Sequence, residues 1–231
     1  MLADPDSKTI RAYHVLNTEA TGQFKGMARP GYFLLDTHGV IQEKFFEAKY
    51  RERLSGNNLI AKLFPELGDE VASTTEAPHF RLTLEQSDRT AFPGGLVTLT
   101  AEVHLPPDVH VYAPGTRDYK PIKLTMYPVP ETDLRPAIFP PSKTLYLPAI
   151  KERVPVFTGT FRVRQDVKVS SAADFSNGLG ADGKTLAVAG EIEYQACDSK
   201  ICFLPESVPV QWHLQVLPLD RQRAPEDIRH K

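Results

Sequence analysis

The stretch Val97-Thr-Leu-Thr-Ala-Glu-Val-His-Leu105 decides the fold class of this chain. Apolar residues occupy every second position, and threonine, glutamate and histidine fill the positions between them. Successive side chains of a β-strand point to opposite faces, so a period of two indicates a strand. The stretch therefore predicts a strand with one buried face and one solvated face.

Six further stretches of strand character surround this one, separated by breaks rich in proline and glycine. They are residues 80–84, 110–112, 120–127, 154–163, 186–194 and 208–217. Many short strands with few helical patterns are typical of an antiparallel β-sandwich. We predict a mainly β domain over residues 80–219, followed by a polar tail over residues 220–231.

The first 66 residues have a different pattern. A short helix can begin at Asp4, with Pro5 at its first position. Two apolar runs, residues 32–35 and 40–46, flank a turn signal and predict a β-hairpin. Ser55 can cap a second helix. The order helix, hairpin, helix indicates a partial α/β segment before the sandwich.

A linker is predicted over residues 67–79, which hold turn formers and acidic residues but almost no large apolar side chain. The length of 231 residues suits two small domains. A hydrophobic content of 41% and a charged content of 24% are ordinary for a soluble globular protein.

Charge and hydropathy weigh against two classes of partner. The formal net charge is −2, so the chain lacks a strongly basic surface that would neutralise nucleic-acid phosphates. No apolar run reaches the roughly 18 to 20 residues that span a bilayer. The first residues also lack the basic and apolar regions of a secretory signal. We expect no nucleic-acid partner, no membrane span and no signal peptide.

The chemistry is expected at Cys197 and Cys202, the only two cysteines. Four residues between them fit a hairpin loop, whose flanking residues face each other closely enough for a disulfide. Alternation puts Cys197 on the side of Gln195 and away from Tyr194, which predicts a solvent-facing pair that a partner thiol can attack. Lys200, inside the loop, can lower the pKa of a thiol.

Other interpretations of this region stay open. The pair can be a structural staple of the hairpin, or two unlinked thiols. A zinc site would need two further ligands from His104, His110 or His213, and four intervening residues fall outside the usual ligand spacing. No metal and no cofactor are predicted.

A second motif has the letters of a phosphate-binding loop, Gly178-Leu-Gly-Ala-Asp-Gly-Lys-Thr185. Such a loop needs a buried strand before it and a helix after it. Here the residues from Leu186 onward alternate as a strand does. We therefore interpret the motif as a β-turn connection.

Residues 80–218 resemble the N-terminal domain of the thiol:disulfide interchange protein DsbD family. The resemblance rests on Phe92-Pro-Gly-Gly95, His110-Val-Tyr112 and Tyr194-Gln-Ala-Cys197 with Cys202. It implies an immunoglobulin-like sandwich whose cysteine pair relays electrons between thioredoxin-like proteins outside the cytoplasm. It also implies a mixed disulfide at Cys202 and a cap loop within residues 142–152. The candidates for shielding or tuning the pair are His110, Tyr112, Tyr146, Tyr194 and Lys200.

Residues 4–64 resemble the C-terminal half of a peroxiredoxin-like (AhpC/TSA) thioredoxin fold. The resemblance rests on Asp4-Pro-Asp-Ser-Lys8 and Pro30-Gly-Tyr-Phe-Leu-Leu-Asp36. It implies that Pro30 matches the cis-proline beside the family's redox site. That family's catalytic cysteine lies in its N-terminal half, and this chain has no cysteine before Cys197. We therefore expect no peroxidase activity, because peroxide reduction needs an activated thiol.

These observations favour a thiol-disulfide exchange module of the protein-disulfide reductase type, acting between thioredoxin-like proteins. Two alternatives belong to other classes. One is a binding or scaffold sandwich with a structural disulfide, and the other is a degenerate peroxiredoxin-type antioxidant protein. The resemblance implies an extracytoplasmic, periplasmic location. It also implies that the chain is a truncated product of a longer gene, or that a partner completes the first segment.

Overall fold

A computed structural model describes residues 4–47, 54–64, 67, 70–116, 119–130, 132–147, 151–170 and 179–217. The predicted polar tail, residues 220–231, lies outside these ranges. Within them, no helix has the length and apolar character needed to cross a membrane.

The described part of the chain contains two short α-helices, one 3₁₀ turn and a series of strands. In chain order they are α1 (Lys8–Ala12), the 3₁₀ turn (Gly22–Phe24), β1 (Gly31–Leu35), β2 (Ile41–Phe46), α2 (Gly56–Leu63), β3 (Glu70–Ala77), β4 (Phe80–Gln86), β5 (Thr90–Ala91), β6 (Leu96–His104), β7 (His110–Tyr112), β8 (Lys123–Met126), β9 (Thr132–Leu134), β10 (Lys143–Leu147), β11 (Glu152–Thr158), β12 (Thr160–Val169), β13 (Thr185–Tyr194), β14 (Ala196–Cys197) and β15 (Glu206–Val216).

The first segment has the predicted order of helix, hairpin and helix. The predicted start of the first helix at Asp4 and Pro5 was wrong, because α1 begins at Lys8. The Asp4 carboxylate still accepts hydrogen bonds from the backbone N–H groups of Thr9 and Ile10 in the first turn. Strands β1 and β2 pair antiparallel. The Ser55 hydroxyl accepts a 2.9 Å hydrogen bond from the backbone N–H of Asn58, the predicted cap of α2.

The sandwich is built from sheets whose strand pairs are antiparallel except for the short parallel pair β5–β15, which confirms the predicted mainly β fold. A five-stranded sheet has the order β3-β4-β6-β12-β9, and a four-stranded sheet has the order β5-β15-β13-β8. Side chains from both sheets form the main core, and Trp212 is its largest fully buried side chain. The indole N–H of Trp212 donates to the carbonyl of Glu85 at 2.9 Å, so its polar atom is paired as a buried indole requires.

The linker interpretation of residues 67–79 was wrong for most of that stretch. Residues Glu70–Ala77 form β3, which pairs antiparallel with β4 at the edge of the five-stranded sheet. Most of its side chains are exposed. An edge strand with solvent around it needs no large apolar residues, so its composition is that of a loop while its backbone hydrogen bonds are those of a sheet.

The stretch at residues 154–163, predicted as one strand, is two strands in different sheets. The break falls at Gly159, whose φ of +65° lies in the left-handed region that favours glycine. Before the break, β11 belongs to a third sheet with the order β10-β11-β7-β14. After the break, β12 belongs to the five-stranded sheet. This change of sheet creates the surface on which the cysteines lie.

The prediction that one face of residues 97–105 is solvated was also partly wrong, because α2 covers part of that face. Thr98 is fully buried, and its hydroxyl accepts a 2.6 Å hydrogen bond from the Asn58 amide of α2. The same hydroxyl donates to the Asp166 carboxylate at 2.8 Å. Lys62 of α2 forms an ion pair of 2.7 Å with Asp166. A polar network therefore holds α2 of the first segment against the sandwich.

Candidate thiol-disulfide site

The third sheet has two differently occupied faces. Val111, Phe157 and Ala196 belong to the main core. Tyr112 and Cys197, their neighbours in sequence on the same strands, belong to a separate small cluster. Because successive strand residues point to opposite faces, the sheet separates the core from the cysteine pair. The other members and neighbours of the small cluster are Val154, Val156, Tyr119, Leu145 and Leu147.

Cys197 and Cys202 form a disulfide with an S–S distance of 2.07 Å, across the predicted hairpin loop. The Asp198 carboxylate accepts hydrogen bonds of 2.7 Å from the backbone N–H groups of Lys200 and Ile201. The Ile201 bond is the main reason that the pKa of Asp198 is lowered, with the Lys200 bond next. An ionised aspartate thus fixes the loop between the two cysteines.

The two sulfur-bearing residues differ in exposure. Cys197 is 1% exposed, whereas Cys202 is exposed. The prediction that both face solvent was therefore wrong for Cys197. Its side chain does point away from the main core, as the alternation required, but the small cluster of the third sheet covers that face. Cys202 is therefore the half of the pair that is open to solvent.

The hydroxyl of Tyr112 touches both sulfurs. It lies 3.4 Å from the Sγ atom of Cys197 and 3.4 Å from that of Cys202. Disulfide sulfur carries no hydrogen, so the tyrosine hydroxyl is the donor. The ring of Tyr112 stacks on Tyr119 with centroids 4.3 Å apart, and burial raises the pKa of Tyr112. A neutral O–H group is therefore held beside the bond that would break.

His110 pairs with Cys197 across the ladder between β7 and β14. It is 5% exposed, and burial lowers its pKa, opposed in part by the charge of Asp198. Its Nε2 atom is buried and has no hydrogen-bond partner among the described residues. A neutral imidazole therefore lies next to the buried cysteine.

Of the other predicted residues, Tyr194 lies in the main core and Tyr146 lines the cleft beside His110. Tyr194 is a fully buried core residue whose hydroxyl donates to the carbonyl of Pro78 at 2.7 Å. Tyr146 is half exposed, and the guanidinium of Arg153 lies 5.8 Å from its ring centroid. Lys200 reaches the site through its backbone N–H group, and its side chain is exposed.

The expected cis peptide bond at Pro30 was wrong, since the described residues contain no cis bond. Pro30 precedes β1, and its carbonyl accepts a hydrogen bond of 3.1 Å from the backbone N–H of Glu47. The residue thus closes the open end of the β1–β2 hairpin. A trans bond is the ordinary state of a proline without a tight turn to stabilise the cis form.

The predicted cap loop is mostly strand. Residues Lys143–Leu147 form β10, which pairs with β11, and residues 148–150 lie outside the described ranges. Leu145 and Leu147 of β10 pack against the small cluster that contains Cys197. The segment therefore covers the buried cysteine with aliphatic side chains on a paired strand.

Sequence reasoning missed several residues that shape the site. Asp198 was detectable, because an aspartate directly after a strand is a frequent turn former that binds the backbone two residues on. Phe203 and His79 were not, since their rings stack at 3.8 Å across a separation that no local pattern reveals. Tyr119 was missed for the same reason.

The remaining motifs do not form sites. Asp182 accepts hydrogen bonds from the backbone N–H groups of Lys184 and Thr185, and strand β13 begins at Thr185, so the glycine-rich stretch is the predicted turn as far as it is described. Within the described ranges, no three histidine, cysteine, aspartate or glutamate side chains gather as potential metal ligands.

Fold and site together define a β-sandwich that carries a hairpin disulfide between one buried and one exposed cysteine. No family model matches the chain, and no curated protein sequence matches it. Among solved structures, the chain is similar to the N-terminal periplasmic domain of ScsB from Proteus mirabilis, with 12% identity and a TM-score of 0.41 over 64% of this chain. The chain spans about half (52%) of that structure's length. It is also similar to the reduced N-terminal domain of Neisseria meningitidis DsbD, with 13% identity and a TM-score of 0.33, covering 60% of this chain and 92% of that domain.

Proposed function

We propose that this chain is a thiol-disulfide exchange module that accepts electrons from one thioredoxin-like dithiol and passes them to the disulfide of another protein. The observation that carries the proposal is the asymmetry of the pair. Cys202 is exposed, Cys197 is buried, and the Tyr112 hydroxyl lies 3.4 Å from both sulfurs. Exchange requires one reachable sulfur and one stabilised leaving group.

In the accepting direction, a partner thiolate attacks the Sγ atom of Cys202. A bond forms between the partner's sulfur and Cys202, the Cys197–Cys202 bond breaks, and its electron pair remains on Cys197 as a thiolate. The second thiol of the partner, once deprotonated, attacks its own sulfur in the mixed disulfide and releases Cys202. The partner leaves oxidised, and this chain holds the dithiol.

The surface around Cys202 suits a protein partner. Ile201 is 57% exposed and Leu204 is 81% exposed, so apolar side chains flank the sulfur that would be attacked. Exposed apolar groups beside a reactive atom are typical of a docking surface. Thioredoxin-like proteins, which must bring their dithiol to this sulfur, are the partners we propose.

The proposed compartment is the periplasm or another oxidising space. A disulfide with one exposed sulfur is exposed to reduction by glutathione and thioredoxin in the cytosol. In an oxidising space it persists until a dedicated dithiol reduces it, which a relay requires.

A trapping experiment tests the proposal. The Cys197→Ser variant keeps the exposed Cys202 but cannot re-form the internal bond. We expect a covalent adduct when it is mixed with a thioredoxin that lacks its resolving cysteine and carries its attacking cysteine as a mixed disulfide with a small thiol, which leaves as Cys202 attacks. The matched control is Cys202→Ser, which retains only the buried cysteine and should form little adduct. Equal trapping by both variants, or trapping by neither, would contradict the proposed roles.

A structural staple is the second candidate function, and the burial of Cys197 favours it. The equilibrium reduction potential of the wild-type pair separates the two. Exchange proteins lie at roughly −270 to −120 mV, whereas inert structural bridges lie below about −300 mV. Thiol alkylation after equilibration in glutathione buffers gives this value directly. A potential in the lower range would leave a stapled binding domain.

A further inference from the structure

His110 differs from the other buried polar groups near the disulfide because nothing in the described structure pairs with its Nε2 atom. Its position is set by the register of β7 and β14, where it lies directly opposite Cys197. Residues opposite each other in an antiparallel ladder share one face, with Cβ atoms roughly 4.5 to 5.5 Å apart. Both side chains are buried, at 5% and 1% exposure.

We propose that His110 takes up a proton when the disulfide is reduced and forms an ion pair with the thiolate of Cys197. This inference rests on the proposed exchange reaction and adds a residue to it. The oxidised site holds a neutral imidazole beside a neutral disulfide. The reduced site holds an imidazolium beside a thiolate, so the buried charge is balanced in both states.

The step balances as follows in atoms and charges. Attack on Cys202 breaks the S–S bond and leaves an electron pair, and therefore a negative charge, on the Sγ atom of Cys197. His110 then binds one proton from solvent. It can exchange that proton because it lines an open cleft of about 730 Å³ beside the hairpin, together with Asp198 and Ser199. In the donating direction, Cys202 forms the mixed disulfide with the partner, and the Cys197 thiolate then attacks the Sγ atom of Cys202. The Cys197–Cys202 bond re-forms, the partner's sulfur leaves as a thiolate, and the proton on His110 returns to solvent.

The titratable groups around His110 favour this assignment. They are Cys197, Tyr112, Asp108, Tyr146 and Asp198. The ring of Tyr112 meets that of His110 edge-on, with centroids 5.6 Å apart. Desolvation lowers the pKa of His110 in the oxidised site, and the negative charge of Asp198 opposes this in part. A thiolate on the neighbouring strand adds a second negative charge, which reverses the balance in the reduced state.

The first measurement is the pKa of the Cys197 thiol in the reduced full-length chain. It is read from thiolate absorbance in the Cys202→Ser background, with and without His110→Gln. An opposite charge at this range lowers a pKa by about one to three units. We therefore expect the thiol pKa to rise by that amount in the His110→Gln variant. The matched control is His213→Gln, an exposed histidine of β15, which should leave the thiol pKa unchanged.

A second measurement needs no change at His110. Coupling between two titrating groups is reciprocal, so the imidazole pKa should rise by the same one to three units when the wild-type protein is reduced. Imidazole resonances followed by NMR in the oxidised and chemically reduced protein give both values. An imidazole pKa that stays constant on reduction would overturn the proposal. Neither measurement uses a protein partner, so this result is independent of whether exchange with thioredoxin-like proteins occurs.

Discussion

Two of the regions that bury polar groups in the described structure, one under α2 and one beside the disulfide, are built in opposite ways. Under α2, the Asn58 amide donates to Thr98, Thr98 donates to Asp166, and Asp166 pairs with Lys62. Beside the disulfide, one tyrosine hydroxyl is shared between two sulfurs, and His110 keeps a buried nitrogen without a partner among the described residues.

The difference shows what each region is suited to do. A network that ends in an ion pair has its charges matched in one state, so a change of charge there destabilises the fold. A region with a shared donor and an unpartnered imidazole can accommodate a charge that appears and disappears. The first arrangement suits attachment of the first segment, and the second suits a reaction.

The largest effect is expected when the polar network under α2 is broken at Asp166. The Asp166→Ala substitution leaves the ammonium group of Lys62 and the hydroxyl of Thr98 without their acceptor. Loss of one partner of a largely buried ion pair lowers the free energy of unfolding by about 3 kcal/mol. Urea unfolding of the oxidised protein measures it, and the reduction potential of the disulfide should stay at its wild-type value.

The control for Asp166→Ala is Asp133→Ala, which removes an exposed aspartate from β9 of the same sheet. Surface changes of this kind alter stability by less than about 0.5 kcal/mol. A loss at Asp166 no larger than that at Asp133 would mean that α2 is not held by this network.

A smaller, pH-dependent effect on stability is expected at Tyr194, whose hydroxyl donates to the carbonyl of Pro78. Burial, with the charge of Glu206 second, raises its pKa to about 12, from about 10 in an unfolded chain. Because the unfolded chain loses the Tyr194 proton at lower pH than the folded chain, the contribution of Tyr194 to the free energy of unfolding is complete below about pH 10. It is lost as the pH rises from about 10 to about 12. Two pKa units correspond to about 2 to 3 kcal/mol. The stability advantage of wild type over Tyr194→Phe should fall by this amount across the window.

The measurement is a pair of denaturant titrations, one of each protein, at several pH values across that window. Because both proteins share every other titrating group, the difference between them isolates Tyr194. A difference that does not change with pH would show that Tyr194 ionises alike in the folded and unfolded chain.

Much of the fold was predictable because its signals are local. The alternation at residues 97–105 predicted β6, and the Ser55 cap predicted α2. The hairpin disulfide also followed from the spacing of Cys197 and Cys202. In each case the residues that decide the structure lie within one element or one turn.

What could not be predicted depends on contacts between distant elements. Cys197 is buried because β14 joins the third sheet and not the sheet of β13. Residues of β10 and β11 cover the face of the third sheet on which Cys197 lies. The burial of Thr98 arises because α2 lies over it. Strand β3 has the composition of a loop and is a strand only because β4 offers it an edge. None of these partners is visible within a short window of sequence.

The smallest of the three effects is expected at Tyr112, and it tests whether the site supports a reaction. Tyr112→Phe keeps the ring that stacks on Tyr119 but removes the hydroxyl that contacts both sulfurs. The departing Cys197 thiolate then loses a donor worth about 1.4 kcal/mol, which slows exchange with a small dithiol about tenfold. Tyr119→Phe is the control, because its hydroxyl donates to Glu152 and not to sulfur. Stopped-flow measurements should show slower exchange for Tyr112→Phe and a wild-type rate for Tyr119→Phe. Equal exchange rates in the two variants would mean that Tyr112 only packs against its neighbours.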